Sequence, residues 1–266
     1  MKNLLINYLS GDKIFEKVDL EIYFKHLRKL KNVDKIVLVD KVSDYNIKIL
    51  EQIYDKIIPT NYEFYYIYYA FFEVLMNYGQ DYDYAMYCDT RDVIFQKNPF
   101  DYMQSKPDKS IFLACEGMEV WESEGNRIWH DTLVETQKFK IEDSDKAFVV
   151  NGGTMGGKVK DLIYAYILAI SNANRNHSQI IPDQAIFTHM YLFLKHFKFA
   201  DICHPYTSNY CATGEGIKRG HVNITFKNNL ACNEAGEPYY IFHQWDRTEF
   251  ADEIRENHKN TLSFVL

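Results

Sequence analysis

Tyr84 to Phe100 reads YAMYCDTRDVIFQKNPF: a short apolar run, then Asp89 and Asp92 on either side of Thr90-Arg91, then Val93-Ile94-Phe95 and the tail Asn98-Pro99-Phe100. Tyr84 to Tyr87 has the composition of a buried strand, so the two carboxylates fall at a strand's carboxyl end. Carboxylates held that close repel each other unless a cation lies between them, which makes such a pair a natural site for Mg2+ or Mn2+ shared with substrate phosphates. From the spacing alone the pair is also readable as a surface turn, with Asp89 capping the reversal and Asp92 paired with Arg91 or a nearby lysine. What flanks the stretch decides between the two.

Upstream, strand and helix patterns alternate. Leu4 to Leu9 is a buried strand that ends in the turn Ser10-Gly11-Asp12, and Phe15 to Leu30 has helical spacing. Lys35 to Val39 is a second strand, Tyr45 to Ile53 a helix, and Lys56 to Ile58 a third strand closed by Pro59. Asn61 to Tyr78 is a helix apolar on nearly every side. Downstream, Ile111 to Ala114 is a strand leading to Glu116-Gly117, and Ala147 to Val150 another that ends in Asn151-Gly152-Gly153. Helices are predicted over Lys160 to Asn172 and Asp183 to Phe197, and Ile224 to Phe226 with Tyr239 to Phe242 read as a hairpin around Glu234-Ala235-Gly236. The pattern predicts one α/β domain: a mostly parallel central sheet flanked by helices, with a small C-terminal β-hairpin region. Such sheets bind ligands beyond the carboxyl ends of their strands. Ser10 to Asp12, Asp89 to Asp92, Glu116-Gly117 and Asn151 to Gly153 should therefore converge on one rim.

Composition narrows the partners. A chain of 266 residues with 47% apolar and 25% charged residues can bury a full sheet, and 21 Tyr and 18 Phe make it unusually aromatic. A net charge of -7 argues against nucleic acid as partner. Five scattered cysteines form no C-x-x-C pair and suit a reducing compartment. With no signal-peptide pattern and no apolar run long enough to span a bilayer, the expectation is a soluble cytoplasmic protein.

The stretch YCDTRDVIFQKNPF resembles the carboxylate motif of glycosyltransferases with the nucleotide-diphospho-sugar transferase (GT-A) fold. There a D-x-D element is followed by two apolar residues, an aromatic and a short tail ending in Asn or Asp, Pro, and Phe or Leu. Aligned on that tail, Asp92 falls on the family's metal-binding second Asp and Thr90 on its first, so that Asp89 stands one residue early in a D-x-x-D variant. Three more segments extend the resemblance over most of the chain. NGGTMGG, Asn151 to Gly157, is similar to the segment that passes under the donor sugar. PDQAIF, Pro182 to Phe187, is similar to the D-Q element near the reacting carbon, and HQWDR, His243 to Arg247, to a late element whose His is a third metal ligand.

The resemblance implies a metal-dependent transfer of a sugar from a nucleoside diphosphate sugar, a UDP-sugar for preference, to a hydroxyl acceptor on a glycan or protein. Asp89, Asp92 and His243 would hold Mn2+ or Mg2+, with Asp89 on the metal, the ribose, or both. Ser10, Gly11, Asp12 and Arg91 would border the nucleotide, and Asn151, Gly152 and Gly153 the sugar. Asp183 would be the catalytic base if the reaction inverts and would position sugar hydroxyls if it retains, with Gln184 beside it. Residues 1–110 would then form the nucleotide half and 111–266 the sugar and acceptor half. Each segment also has a plain structural reading: a glycine turn, a helix N-terminal Asp, a satisfied buried His. Trp121, Trp129 and His130, in a polar connection, suit either stacking on an acceptor sugar or anchoring of their loop. Lys218 and Arg219, in the irregular stretch Tyr206 to Gly220, suit either a lid over a diphosphate or a solvated loop. The rival classes are a metal-dependent phosphohydrolase, although LINYLSGD lacks the D-x-D expected after a first strand, and a non-catalytic sugar-binding module.

Overall fold

Strand β1, Asn3–Ser10, is buried along nearly its whole length, and its side chains serve two cores. Leu4, Ile6 and Tyr8 pack on one face of the sheet, Leu5 and Leu9 on the other, as the two-residue period of a strand requires. A strand covered on both faces reads as a continuous apolar run, which is the character of LLINYL. The structure is a computed structural model that describes residues 1–62, 67–137, 144–173, 183–194 and 200–262. The predicted helical segments 63–66 and 195–197 lie outside the described residues, as does Pro182.

On one side of β1 lie β2 (Val33–Asp40) and β3 (Lys56–Pro59), and on the other β4 (Tyr84–Cys88), all parallel. The chain then leaves this sheet through β5 (Val93–Phe95) and returns as β6 (Ile111–Glu119), β7 (Phe148–Lys158) and β8 (Ala200–Cys203). Among the described residues the order is β3-β2-β1-β4-β7-β6-β8, and β7 alone runs against the others. Helices α1 (Val18–Leu27), α2 (Asp44–Leu50) and α4 (Pro99–Gln104) cover one face, whereas α3 (Ile67–Tyr78), α6 (Val159–Ala173) and α7 (Asp183–Leu194) cover the other. Helix α5 (Glu124–Gln137) contacts α7.

A second sheet supplies the far wall of the rim. Its order is β5-β12-β9, with β12 (Ile241–His243) antiparallel to β5 and parallel to β9 (Cys211–Thr213). The strand β10 (Thr225–Lys227) pairs with β11 (Leu230–Cys232) across Asn228 and Asn229, both left-handed at φ 53 and 63. Helices α8 (Gly214–Lys218) and α9 (Ala251–Leu262) complete this region.

Several expectations change: Glu116-Gly117 lies inside β6 rather than after it, Trp129 and His130 sit in α5 rather than in a connection, and the stretch Tyr206 to Gly220 contains β9 and α8. The hairpin exists, but its second strand is 230–232; the segment near 239–242 joins β5 and β9 instead, because a strand there completes a three-stranded sheet. Asn151-Gly152-Gly153 does not follow a strand: it lies inside β7, whose reversed direction still brings it to the rim. Among the described residues no helix is long and apolar enough to cross a membrane.

Asn7 interrupts the first apolar run for a reason. Its buried amide donates to the Cys88 carbonyl at 2.8 Å, while its oxygen accepts from the hydroxyls of Tyr23 at 2.8 Å and Tyr54 at 3.1 Å. The tie joins β1, β4, α1 and the segment after α2 directly beneath the carboxylate turn. Asn7→Leu strands both hydroxyls in the core and is expected to cost about 2–4 kcal/mol. Urea denaturation reads this, and a variant as stable as the natural chain would contradict the tie.

Candidate active site

Three elements deliver three ligand-bearing side chains to one point. Strand β4 ends at Cys88, and the Asp89 N–H donates to the Gly153 carbonyl of β7 at 2.8 Å. Strand β5 begins at Val93, which sits opposite His243 in the antiparallel ladder, so Asp92 comes beside the end of β12. The Gln244 N–H donates to the Asp92 carbonyl at 2.7 Å and locks that register. Between the carboxylates the chain reverses in a three-residue turn: the Asp92 N–H reaches the Thr90 carbonyl at 2.9 Å, and Arg91 is left-handed at φ 75. That is a strained conformation for a non-glycine residue, of the kind concentrated at functional sites. The Thr90 hydroxyl donates to the Tyr8 carbonyl at 3.2 Å, which directs the residue aligned with the family's first Asp into the scaffold.

Asp89, Asp92 and His243 each offer one ligand atom, and these atoms all lie within 4.8 Å of one another. His243 is 1% exposed and Asp92 5%, whereas Asp89 is half-buried in the cleft. The His243 Nδ1–H donates to Asn151 Oδ1 at 2.9 Å, which leaves the lone pair of Nε2 facing the carboxylates. Nε2 stands 3.3 Å from Asp89 and 3.7 Å from Asp92, yet has no hydrogen-bond partner although it is buried. A divalent cation among two carboxylates and this nitrogen satisfies all three at once, and the mixed oxygen and nitrogen donor set suits one.

The electrostatics agree. Burial pushes the Asp92 carboxyl up, His243 draws it down, Asp89 adds to the rise, and the balance lies above the ordinary value. Burial also pushes Asp89 up, but His243 and the Tyr87 hydroxyl that donates to it outweigh that and hold it low. His243 is pushed down by burial, and the two carboxylates more than reverse this.

HQWDR serves member by member. Gln244 is left-handed at φ 56, its side chain accepts from the Glu215 N–H at 3.1 Å, and Gly214 runs so close beneath its carbonyl that a Cβ there would collide with backbone. Trp245 is fully buried under the Arg255 guanidinium, Asp246 pairs with Arg91 at 3.4 Å, and Arg247 pairs with Glu215 at 3.5 Å. The tail Asn98-Pro99-Phe100 starts α4: Asn98 Oδ1 accepts from the Phe100 N–H at 3.2 Å, Pro99 takes the first turn, and Phe100 fills the core.

A cleft of about 420 Å3, the size of a small-molecule site, opens over Asp89 and Asp92. Its walls include Asp89, Asp92, Ser10 and Tyr8, and four cations, Lys13, Lys17, Arg91 and Arg247, face it. Lys13 and Lys17 have no ion-pair partner among the described residues. They come from a 3-10 segment, Asp12–Glu16, and the residue after it; no periodic signal in the sequence marks them. Ser10 lines the cleft and donates to Asp40 at 3.1 Å, and left-handed Gly11 lets its N–H reach the Asp40 carbonyl. Asp12 points elsewhere: it accepts from the Ser43 N–H and the Asn46 amide ahead of and within α2, and these bonds hold its carboxyl below the ordinary range. Gly152 is buried in β7, and Gly153 lies against Asp89 and His243. Gln184 donates to Asn126 Oδ1 of α5 at 2.7 Å. The backbone of Asp183 begins α7, and its side chain lies outside the described residues. Lys218 ends α8, where Arg219 is tied to Glu215 at 2.6 Å.

Behind His243 lies a buried acid that the sequence shows only as a strand end. Asn151 Nδ2 donates to Glu116 Oε1 at 3.2 Å, so Glu116, Asn151 and His243 form a chain. Burial raises the Glu116 carboxyl to about 7, although the Asn151 bond opposes the rise. Since the folded chain holds this proton more tightly than the unfolded one, stability declines as pH rises from about 4.5 to about 7, by roughly 3 kcal/mol in all. Glu116→Gln removes that loss. In EDTA its melting temperature should exceed that of the natural chain at pH 8 and match it near pH 4.5, and an equal difference at both pH values would contradict the buried proton.

No protein-family model matches the sequence, and no curated protein matches it. Among solved structures, that of an active-site mutant of LgtC is similar at a TM-score of 0.58 and 11% identity, over 97% of this chain and 95% of that one. The mixed α/β architecture, with its mainly parallel sheet flanked by helices, is therefore the GT-A fold.

Proposed function

We propose that this chain is a metal-dependent glycosyltransferase that moves a sugar from a nucleoside diphosphate sugar, a UDP-sugar in the first instance, to a hydroxyl acceptor on a glycan or protein. The observation that carries the proposal is the meeting of Asp89 and Asp92, which line a cationic cleft, with the unpartnered Nε2 of the buried His243 behind them. The fold shared with LgtC supports it.

Asp89, Asp92 and His243 would hold Mn2+ or Mg2+, which when bound supplies positive charge against the diphosphate as it departs. Asn151 keeps the imidazole in the tautomer that presents Nε2, and the Tyr87 hydroxyl orients Asp89. Arg91, Lys13, Lys17 and Arg247 bring positive charge to the cleft wall, where phosphate oxygens are held. Ser10 and Gly11 border the nucleoside, Asp12 fixes the loop opposite, and Asn151 to Gly153 back the sugar. In an inverting reaction Asp183 takes the acceptor hydroxyl proton as the new C–O bond forms and the bond to the diphosphate oxygen breaks. In a retaining one Asp183 and Gln184 hold sugar hydroxyls.

Release of nucleoside diphosphate from a panel of UDP- and GDP-sugars, with Mn2+ and with EDTA, tests the proposal. Metal-dependent turnover of at least one donor is expected. Turnover of simple phosphate esters with no donor cleaved would contradict it in favour of a phosphohydrolase, and no turnover of either in favour of a binding module.

A further inference from the structure

The carboxyl ends of β6 and β8 open on the same rim as the carboxylate cluster, because both strands run parallel to β4. At a spacing of about 4.8 Å per strand they stand roughly 10 and 14 Å along the rim from the end of β4. The donor cleft does not extend there: its lining comes from β1, the 3-10 segment after it with Lys17, the end of β4 with the turn that follows, and Arg247.

This part of the rim carries exposed aromatics. Trp121 is 55% exposed and Tyr206 54%. Trp121 follows β6 in the short 3-10 turn Val120–Glu122, and Tyr206 follows β8 through His204, on which its ring stacks at a centroid distance of 4.9 Å. His204 in turn packs edge-on against Phe148 at the start of β7. The two segments are neighbours: Phe148, on which His204 packs, pairs with Glu119 of β6, two residues before Trp121. Gly117, just past Glu116, lies against Pro205 and Val222, which seats the Tyr206 loop on the end of β6.

Neither ring is loose. The Trp121 indole N–H donates to the Glu119 carboxylate at 2.5 Å, and the Tyr206 N–H reaches His204 Nδ1 at 3.5 Å. An indole whose polar edge is already bonded and whose face is open to water is preorganised for an apolar partner, and little freedom remains to be lost when one binds. The Glu119 carboxylate holds the indole, the Glu122 carboxylate accepts from the Glu119 N–H beside it, and the charges of Glu234 and Glu122 reach the Tyr206 hydroxyl, which burial and these charges push above its ordinary value. Such a rim repels phosphorylated, sulfated and carboxylated ligands and the surface of an anionic bilayer.

We infer that the shelf formed by Trp121 and Tyr206 at the ends of β6 and β8 is an acceptor subsite that stacks the apolar face of an uncharged or amino-bearing sugar in a glycan. The inference rests on the proposed transferase reading, since it names the acceptor of that reaction, but its test does not use turnover. The shelf places a neutral glycan roughly 10–14 Å along the rim from the carboxylate cluster and selects against acidic ones.

An array of immobilised glycans that includes neutral hexose, N-acetylhexosamine, sialylated, sulfated and uronic-acid types is probed with the full chain, the Trp121→Ala/Tyr206→Ala double variant and Trp121→Phe. Neutral glycans should be retained by the natural chain, at least tenfold less by the double variant, and near the natural level by Trp121→Phe, which keeps a ring. Failure to retain any glycan, equal retention by the double variant, or preference for acidic glycans overturns the inference. The thermal shift with Mn2+ and UDP is measured on the same three proteins and should be the same in all. A shift present with no glycan retained removes the shelf and leaves the donor site standing; glycan binding lost in the double variant with no shift removes the donor site and leaves the shelf.

Discussion

Asp92→Asn is expected to lower metal-dependent transfer at least about a thousandfold while making the metal-free chain more stable. The two effects have one cause. Asp92 is buried, its carboxyl is pushed up by that burial and by Asp89, and in the empty cluster its charge is a burden that a neutral amide removes. With a cation present the same charge is one of two that hold it, and loss of an anionic ligand removes both affinity and the neutralisation of the leaving diphosphate. Melts in EDTA should therefore rise for the variant by about 1–3 kcal/mol, and the further rise on adding Mn2+ should vanish. A surface role for Asp92 predicts neither sign. Equal melts in EDTA together with an intact Mn2+ response would place the cation elsewhere.

Gly153→Ala should be nearly as damaging to activity, by a different route. Gly153 has no left-handed φ, so its backbone accepts an L side chain. The obstacle is space, since a Cβ would fall inside the contact radii of the Asp89 carboxylate and the His243 ring. His243 cannot retreat, because it is buried and bonded to Asn151; Asp89 must swing outward, away from the Tyr87 hydroxyl and from the point where the ligand atoms meet. Overpacking of this kind costs about 1–3 kcal/mol of stability. The expected signature is a folded variant whose Mn2+ affinity falls at least about a hundredfold, since a displaced carboxylate forfeits roughly 3 kcal/mol or more of ligation. Calorimetric titration with Mn2+ measures it, and unchanged affinity would show that Asp89 is not a ligand.

The N-terminal half of the sheet is legible in the sequence because its signals are strong and local. LLINYL and KIVLV are apolar on both strand faces, as only doubly covered strands are, and the carboxylate turn follows the next such strand at once. His243 is legible only through the resemblance of HQWDR; nothing in its spacing from Asp89 foretells that β12 pairs with β5. The length of β7 is hidden by its own composition. Its apolar run ends at Val150, and the rest is a glycine-rich stretch that stays extended because β4 and β6 grip it on both sides and because Gly157 lies against the Ser110 backbone. The hairpin partner is misread although a signal is present: Asn228-Asn229 is a pair suited to two successive left-handed residues, and it lies between the strands that do pair. Glu116 is visible as a strand end, but its burial and its chain to His243 depend on tertiary contacts that no local pattern encodes.

Metal and nucleoside diphosphate are expected to bind together at Asp89, Asp92 and His243. Thermal unfolding with UDP, with Mn2+, and with both tests it most directly. The melting temperature is expected to rise by several degrees with the pair, as occupancy at about a hundred times Kd stabilises by about 2.7 kcal/mol, and by clearly less than that with either alone. An equal shift with UDP in EDTA, or no shift with the pair, would contradict it.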